Sequence, residues 1–450
     1  MSFALELARR AGNITVDSAP PEALQAAAYA IADTLGVALA GSSATYVAGL
    51  AAALGADGKQ GVASGIGRSG QYSVLHAALL NGTAAHALDF DDCSVVMSAH
   101  PSAPVVPAIL ALAEDRSATG KEFLEAYLAG VELEMHLARA LMPHHYDKGW
   151  HPTATLGVFG SAIASARLLK FDEQRLATTL AVAVSMASGI KSNFGSAMKP
   201  LHVGQAAYNG VLAALTVERG MTSNLSAFEH TYGFFNVFNG EGNFDPEKAL
   251  SGWETFEILD PGIAIKQHPC CGSAHSAIDA AFAIRAKHGA VNGKNIEKIE
   301  IWSHERRLPH TNRPAPRNGL DAKFSVQFLT VKALLSGIIS LADFDDETFL
   351  KSEIEALLLR VSAFAHQESN EYLGRVRVTL TDGTVLGDAA TTELGRSPFD
   401  LMASGDLERK FLDCTNGHLG AAEAKALFAQ ILDILNVQNI TDITCQLQAK

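Results

Sequence analysis

Six stretches in the first 220 residues repeat one pattern, and that pattern leaves few folds open. PPEALQAAAYAIADTLGVALAG (20–41) has proline at its first turn, apolar residues at helical spacing and glycine at its end. VLHAALLNGTAAHALDF, KEFLEAYLAGVELEMHLARAL, LGVFGSAIASARLLK, RLATTLAVAVSMASGI and GQAAYNGVLAALTVERG follow the same scheme. Several are apolar on most faces and rich in alanine and glycine, so they are predicted to be buried and packed closely against one another. Residues 1–250 read as nearly continuous helix.

The pattern changes after about residue 258. IEKIEIWSHE (296–305) alternates and is β-branched, which predicts a strand. GRVRVTLTDGTVLGDAATT (374–392) predicts a hairpin, two β runs around Asp382-Gly383. KFSVQFLTVKALLSGII between them predicts an apolar helix, and LMASGDLERKFLDC and AAEAKALFAQILDIL return to helix. The fold class expected is mostly α: a large all-helical domain of residues 1–262 and 400–450, discontinuous in sequence, and a smaller α+β domain of residues 263–399.

Net charge is −13 and the pI about 5.6, which argues against a nucleic-acid partner. An anionic substrate must therefore be drawn in by a local positive site. No charge-free apolar run reaches the roughly 18–20 residues that span a bilayer, so no membrane association is expected. MSFALELARRAGNITVD carries charges inside its apolar part and does not read as a secretory signal. The five cysteines, two of them adjacent, form no disulfide framework, and a reducing cytoplasm is expected.

Protic side chains recur beside prolines. HALDFDDC (86–93), SAHPS (98–102), GWHPTATLG (149–157) and SAMKPLHVG (196–204) come in succession. Proline fixes its own φ and pushes the preceding residue toward an extended shape. His100, His151 and Lys199 are thus expected where helices begin, and the set suggests proton transfer on a small anion.

Other motifs carry less. GIGRSG (65–70) matches a dinucleotide fingerprint, but the preceding KQGVAS is short and polar, so a plain glycine loop is the better reading. Ser196-Ala-Met-Lys199 matches S-x-x-K of penicillin-recognising enzymes without its companion motifs. His144, His145 and His151, or His86 with Asp89, Asp91 and Asp92, offer metal ligands. The glycine and distal glutamate of a calcium loop are missing, as is H-E-x-x-H, so the aspartates are read as capping a helix end and no metal is expected. Cys270-Cys271 lacks the C-x-x-C spacing, and His268 and His275 read first as core histidines.

In this order, HALDFDD, HPSAPVVPAILALAE, GWHPTATLGVFG, MKPLHVGQAA, KQHPCCGSAHSAIDAA and AKFSVQF resemble the MmgE/PrpD superfamily over nearly the full length. That superfamily includes 2-methylcitrate dehydratase, cis-aconitate decarboxylase and iminodisuccinate epimerase. The resemblance implies a homodimer without metal or organic cofactor and a site on Asp89, His100, His151, Lys199 and Lys266. Two positions depart from it. Phe328 stands where F-S-x-Q-Y often has tyrosine, and Cys271 where decarboxylase-type members have histidine. These losses argue against cis-aconitate decarboxylation. The segment from Asp89 to His100 is also one residue longer than in those members.

The superfamily reactions share the making or breaking of a C–H bond near a carboxylate, which needs a positioned base and cations for the carboxylates. Lys199 is the first candidate base, with burial, Lys266 and His202 to favour its neutral form. Tyr146 is nominated as the opposing base, beside His151. His100, His145, His151, Lys266 and His268 are expected to bind carboxylates, with Cys271 as a wall residue. The expected activity is a cofactor-independent epimerase, an isomerase, acting on an amino-dicarboxylate such as iminodisuccinate. A 2-methylcitrate-type hydro-lyase on a tricarboxylate is the alternative, and a catalytically silent dicarboxylate-binding protein a further one.

Overall fold

The computed structural model describes residues 2–55, 61–345, 349–391 and 405–449. The chain divides into two compact units, Met1–Ile265 with Ser397–Lys450, and Lys266–Arg396. The fold is mostly helical, with the longer strands in the second unit. The expected domain junction near 399–400 lies outside the described residues.

The first unit is built from α1 (Phe3–Gly12), α2 (Pro21–Gly41), α3 (Thr45–Leu54), α4 (Val74–His86), α5 (Ser102–Arg116), α6 (Gly120–Leu141), α7 (His144–Asp147), α8 (Pro152–Thr155), α9 (Gly157–Leu168), α10 (Glu173–Val184) and α11 (Met198–Glu218). Helices Asp406–Thr415 and Ala421–Leu432 complete it. α2 starts with proline at its first helical position and ends at glycine. Its length and hydropathy would suit a membrane span, yet 83% of that window is buried inside the protein. Such a helix is the core of a packed unit.

Small residues set how closely the helices cross. Gly82 of α4 meets Gly204 of α11. A Cβ on Gly204 would run into the Leu79 carbonyl and Thr83 Oγ1, so only glycine permits this approach. The crossing brings the end of α4, at His86, toward the start of α11, at Lys199.

Continuous helix to residue 250 is not what the chain forms. From 185 to 197 and again from 221 to 262 it runs as turns and short helices. Gly189, Gly195, Gly240, Gly242 and Gly252 all have positive φ there, which an α-helix cannot accommodate. The GIGRSG segment joins β1 (Ala63–Ser64) to antiparallel β2 (Gln71–Tyr72) as a hairpin tip. β3 (Cys93–Ser94) pairs with β4 (Ile263–Ala264).

The second unit holds a four-stranded sheet of β5 (Ile296–His304), β6 (Val361–His366), β7 (Leu373–Leu380) and β8 (Val385–Thr391), in the order β6-β5-β7-β8. β5 pairs parallel with β6 and antiparallel with β7. The β7–β8 turn contains Asp382-Gly383, with Gly383 at φ 88°. Helices His275–His288 and Val326–Ser336 share an apolar core with the sheet. Ser325 caps the second, its hydroxyl accepting from the Phe328 N–H.

Candidate active site

The site is assembled where α4 ends. The chain turns at Asp89, which adopts the left-handed conformation at φ 53°, and the Asp89 N–H donates to the His86 carbonyl. Aspartate tolerates this conformation better than most residues. Beyond the turn Asp91 and Asp92 project to opposite sides. Asp91 Oδ2 lies 2.7 Å from His86 Nδ1 and 3.2 Å from His100 Nδ1. Asp92 instead takes the Ser102 N–H at 3.2 Å and the Ser102 hydroxyl, which meets Tyr127 OH at 2.7 Å. The two carboxylates thus grip the His100-Pro101-Ser102 segment from both sides.

His100, His151 and Lys199 all stand at helix starts. Pro101 precedes α5, His151 is the residue before α8, and Lys199 is the second residue of α11. Lys199 Nζ lies 2.7 Å from Asp89 Oδ1, and His100 Nε2 is 3.6 Å from the same oxygen. One helical turn beyond Lys199, His202 meets His151, Nδ1 to Nδ1, at 3.3 Å. The His151 ring is 5.8 Å from His86 and packs edge-on against Phe194 at 4.9 Å. The His100 N–H donates to Thr153 Oγ1, joining the two histidine-proline segments.

Burial dominates the electrostatics. It pushes His86 down to about 4 against the pull of Asp91, and holds His151 well below the usual histidine range, helped by the charges of His86 and Lys199. Burial also lowers His202. For Asp91 burial acts upward, but the charges and hydrogen bonds of His100 and His86 outweigh it and keep the carboxyl well below its usual range. Ionised Asp91 only accepts, so the ring nitrogens facing it carry protons. His100 Nε2 is then the nitrogen that takes or gives a proton. Asp92 goes the other way, raised to about 7 by burial, against its hydrogen bonds to Ser102. His86 Nε2, His151 Nε2 and Asp91 Oδ1 are buried with no hydrogen-bond partner among the described residues.

His86, Asp89, Asp91 and His100 offer ligand atoms within 4.8 Å of one another. Their hydrogen bonds and the Lys199 ammonium already occupy this cluster. A divalent cation using all four would have to displace Lys199 and break the His86–Asp91 bond, so the donor set fits an acid–base array better than a metal centre. The Ser196 hydroxyl donates to the Asn193 carbonyl. A cavity of about 420 Å³, lined by Arg9, Arg10, Glu132 and Trp253 among others, contains none of these residues.

Of the residues nominated from sequence, Asp89, His100, His151 and Lys199 come together. Lys199, expected as the base, has its Nζ 2.7 Å from Asp89 Oδ1 in a buried ion pair. His145 is a core residue. Its Nδ1 meets Asn239 Oδ1 at 2.8 Å and its Nε2 meets Thr155 Oγ1 at 2.7 Å, leaving no ring nitrogen for a carboxylate. Tyr146 is half-buried on α7 with Lys191 Nζ 3.4 Å above its ring. Lys266, His268 and Cys271 belong to the second unit. There Lys266 is buried, His268 Nε2 meets Asp279 Oδ1 at 3.0 Å, and the Cys271 N–H donates to the Lys323 carbonyl. His275 nearby is lowered to about 3 by burial and by the charges of His268 and Lys266. Phe328 is fully buried between Phe344 and Phe349, so a tyrosine hydroxyl would enter an apolar cluster and its absence says little about catalysis.

Sequence reasoning placed His86 and Asp91 only among metal ligands or helix caps and His202 only as a neighbour of Lys199, and it did not nominate Phe194. Only His202 carried a local signal, its spacing of three from Lys199 on one helix. His86 and Asp91 are five apart and meet only because the chain reverses at Asp89.

The chain matches the MmgE/PrpD N-terminal domain over residues 5–247 and the MmgE/PrpD C-terminal domain over residues 268–434. It belongs to the MmgE/PrpD family. Similar proteins include the cis-aconitate decarboxylase of Homo sapiens, 29% identical over 390 residues, covering 83% of this chain and 79% of that protein. The cis-aconitate decarboxylase of Aspergillus terreus is 24% identical over 420 residues, covering 87% and 85%. The 2-methylcitrate dehydratase of Salmonella typhimurium is 26% identical over 190 residues, covering 39% and 38%. Decarboxylases and dehydratases are lyases, and this finding overturns the expectation of an isomerase.

Proposed function

We propose that this chain is a lyase acting on a small tricarboxylate. The observation that carries the reading is the buried array Lys199–Asp89 beside His100–Asp91–His86, a proton donor and an oriented histidine side by side. Relatives named for cis-aconitate and 2-methylcitrate support the substrate class.

In decarboxylation the bond from carbon to the departing carboxylate breaks and its electron pair stays on carbon, spread toward the remaining carboxylates. Carbon dioxide leaves, and a proton is delivered to that carbon. Lys199 neutralises the developing charge, and His100, held through Nδ1 by Asp91, delivers the proton from Nε2. The more extensive similarity to the decarboxylases favours this reaction.

Dehydration is the second reading, supported by the similarity to the 2-methylcitrate dehydratase of Salmonella typhimurium. There His100 removes the proton beside a carboxylate, the electron pair forms the double bond, and hydroxide leaves with a proton from Lys199. Incubation with cis-aconitate, 2-methylcitrate and citrate in D₂O, followed by proton NMR and carbon dioxide release, tests both. Gas release from cis-aconitate with deuterium at the product carbon supports the first. An alkene formed from a hydroxy acid without gas supports the second, and no turnover of any of the three sinks the lyase reading.

A further inference from the structure

The turn that carries Asp89 and Asp91 is held from a distant part of the sequence. Lys410, on the Asp406–Thr415 helix, donates through Nζ to the Phe90 carbonyl at 2.8 Å and lies 3.9 Å above the Phe90 ring. The same ammonium pairs with Asp33 Oδ1 of α2 at 2.6 Å, and both side chains are buried. The Phe90 carbonyl belongs to the peptide that links Phe90 to Asp91. Fixing that oxygen fixes the plane from which Asp91 departs toward His86 and His100. On its other side lies Asp89, in a left-handed conformation that costs energy outside glycine and persists only where its surroundings impose it.

We propose that Lys410 is a positioning residue of the active site: with its charge balanced by Asp33, it clamps the Phe90 carbonyl and thereby sets the directions of Asp89 and Asp91. Successive residues of the turn are then held by different elements. Asp89 is held by Lys199 of α11, Phe90 by Lys410 and Asp92 by Ser102 of α5. The C-terminal helices thus shape the site without lining it. A loose turn would let Asp91 swing away from His100, and a misplacement of about 1 Å can cost on the order of 100-fold in rate.

Removing Lys410 alone would strand buried Asp33, so the test removes the pair together. The Asp33→Asn/Lys410→Met variant should fold with a cooperative thermal transition, lose roughly 10- to 100-fold in kcat and keep KM within about 3-fold. Amide hydrogen exchange should speed up in residues 88–100 and not elsewhere in the helical unit. Asp33→Asn alone, which keeps the donor to Phe90, should hold kcat within about 3-fold despite lower stability. Lys410→Arg, keeping charge and donor, should retain wild-type protection of the turn. Wild-type kcat and protection in the double variant would overturn the proposal, leaving Lys410 a role in stability alone. If the double variant does not fold, Asp33→Asn and Lys410→Arg decide. Loss of kcat in either while the turn stays protected overturns it equally. The kinetic arm rests on the lyase reading. Should the wild-type protein turn over none of the tricarboxylates, that reading fails while hydrogen exchange still decides the role of Lys410.

Discussion

Lys199 Nζ and Asp89 Oδ1 lie 2.7 Å apart in a buried ion pair, and His100 Nε2 is 3.6 Å from the same oxygen. One carboxylate therefore joins the ammonium on α11 to the histidine ahead of α5. Lys199→Ala leaves Asp89 buried without its cation, and should abolish turnover and lower stability by roughly 3–5 kcal/mol. Asp89→Asn/Lys199→Met, which removes the pair as a unit, should recover most of the stability and none of the activity. Denaturant titrations and steady-state rates on the two variants check this, and turnover above a tenth of wild type in either would remove Lys199 from the mechanism.

Asp91 acts through His100. Asp91→Asn keeps the size of the side chain but can offer an N–H toward the His100 ring, so the wrong ring nitrogen carries the proton. The expected result is a fall in kcat of roughly 10²- to 10⁴-fold with KM little changed. A variant whose KM rises with kcat intact would show that Asp91 serves binding alone.

His145 gives the pH dependence. Burial lowers its folded pKa to about 4, against the usual value near 6.5. Between these values the unfolded chain binds the proton and the folded chain does not. Stability from this group is therefore complete above about pH 6.5 and lost as pH falls toward 4, by about 3 kcal/mol. His86, also lowered to about 4, acts in the same direction. Asp92, raised to about 7, acts in the opposite direction, since its neutral carboxyl favours the fold most at low pH. His145→Gln should show a shallower loss between pH 6.5 and 4 in urea titrations, and identical slopes for the two proteins would contradict the assignment.

Gly204→Ala tests the crossing of α4 and α11. The added Cβ meets the Leu79 carbonyl and Thr83 Oγ1, both on α4, and the helices must part to admit it. Overpacking of this kind costs about 1–3 kcal/mol, and more where backbone must move. Because His86 ends one helix and Lys199 begins the other, kcat should fall with the melting temperature. Unchanged stability would mean that the two helices part freely.

Much of this molecule is legible along the chain. Alanine-rich apolar periodicity with proline at the start and glycine at the end marks α2, because helix formation and termination depend on near neighbours. Asp382-Gly383 marks the β7–β8 turn for the same reason, and the prolines after His100, His151 and Lys199 mark helix starts. β6, too short and exposed to show a clear period, did not announce itself. Side-chain partners were decided only in three dimensions. His145 and His151 look alike in sequence, yet one is tied to Asn239 and Thr155 in the core while the other faces His86 and His202. His86 finds Asp91 because the chain reverses at Asp89, and Phe90 finds Lys410 across 320 residues. Local spacing sets backbone conformation through contacts within a turn or two. The partner of a buried polar group is instead chosen by how closely helices cross, and that distance depends on pairs of small residues such as Gly82 and Gly204, which lie on different helices far apart along the chain.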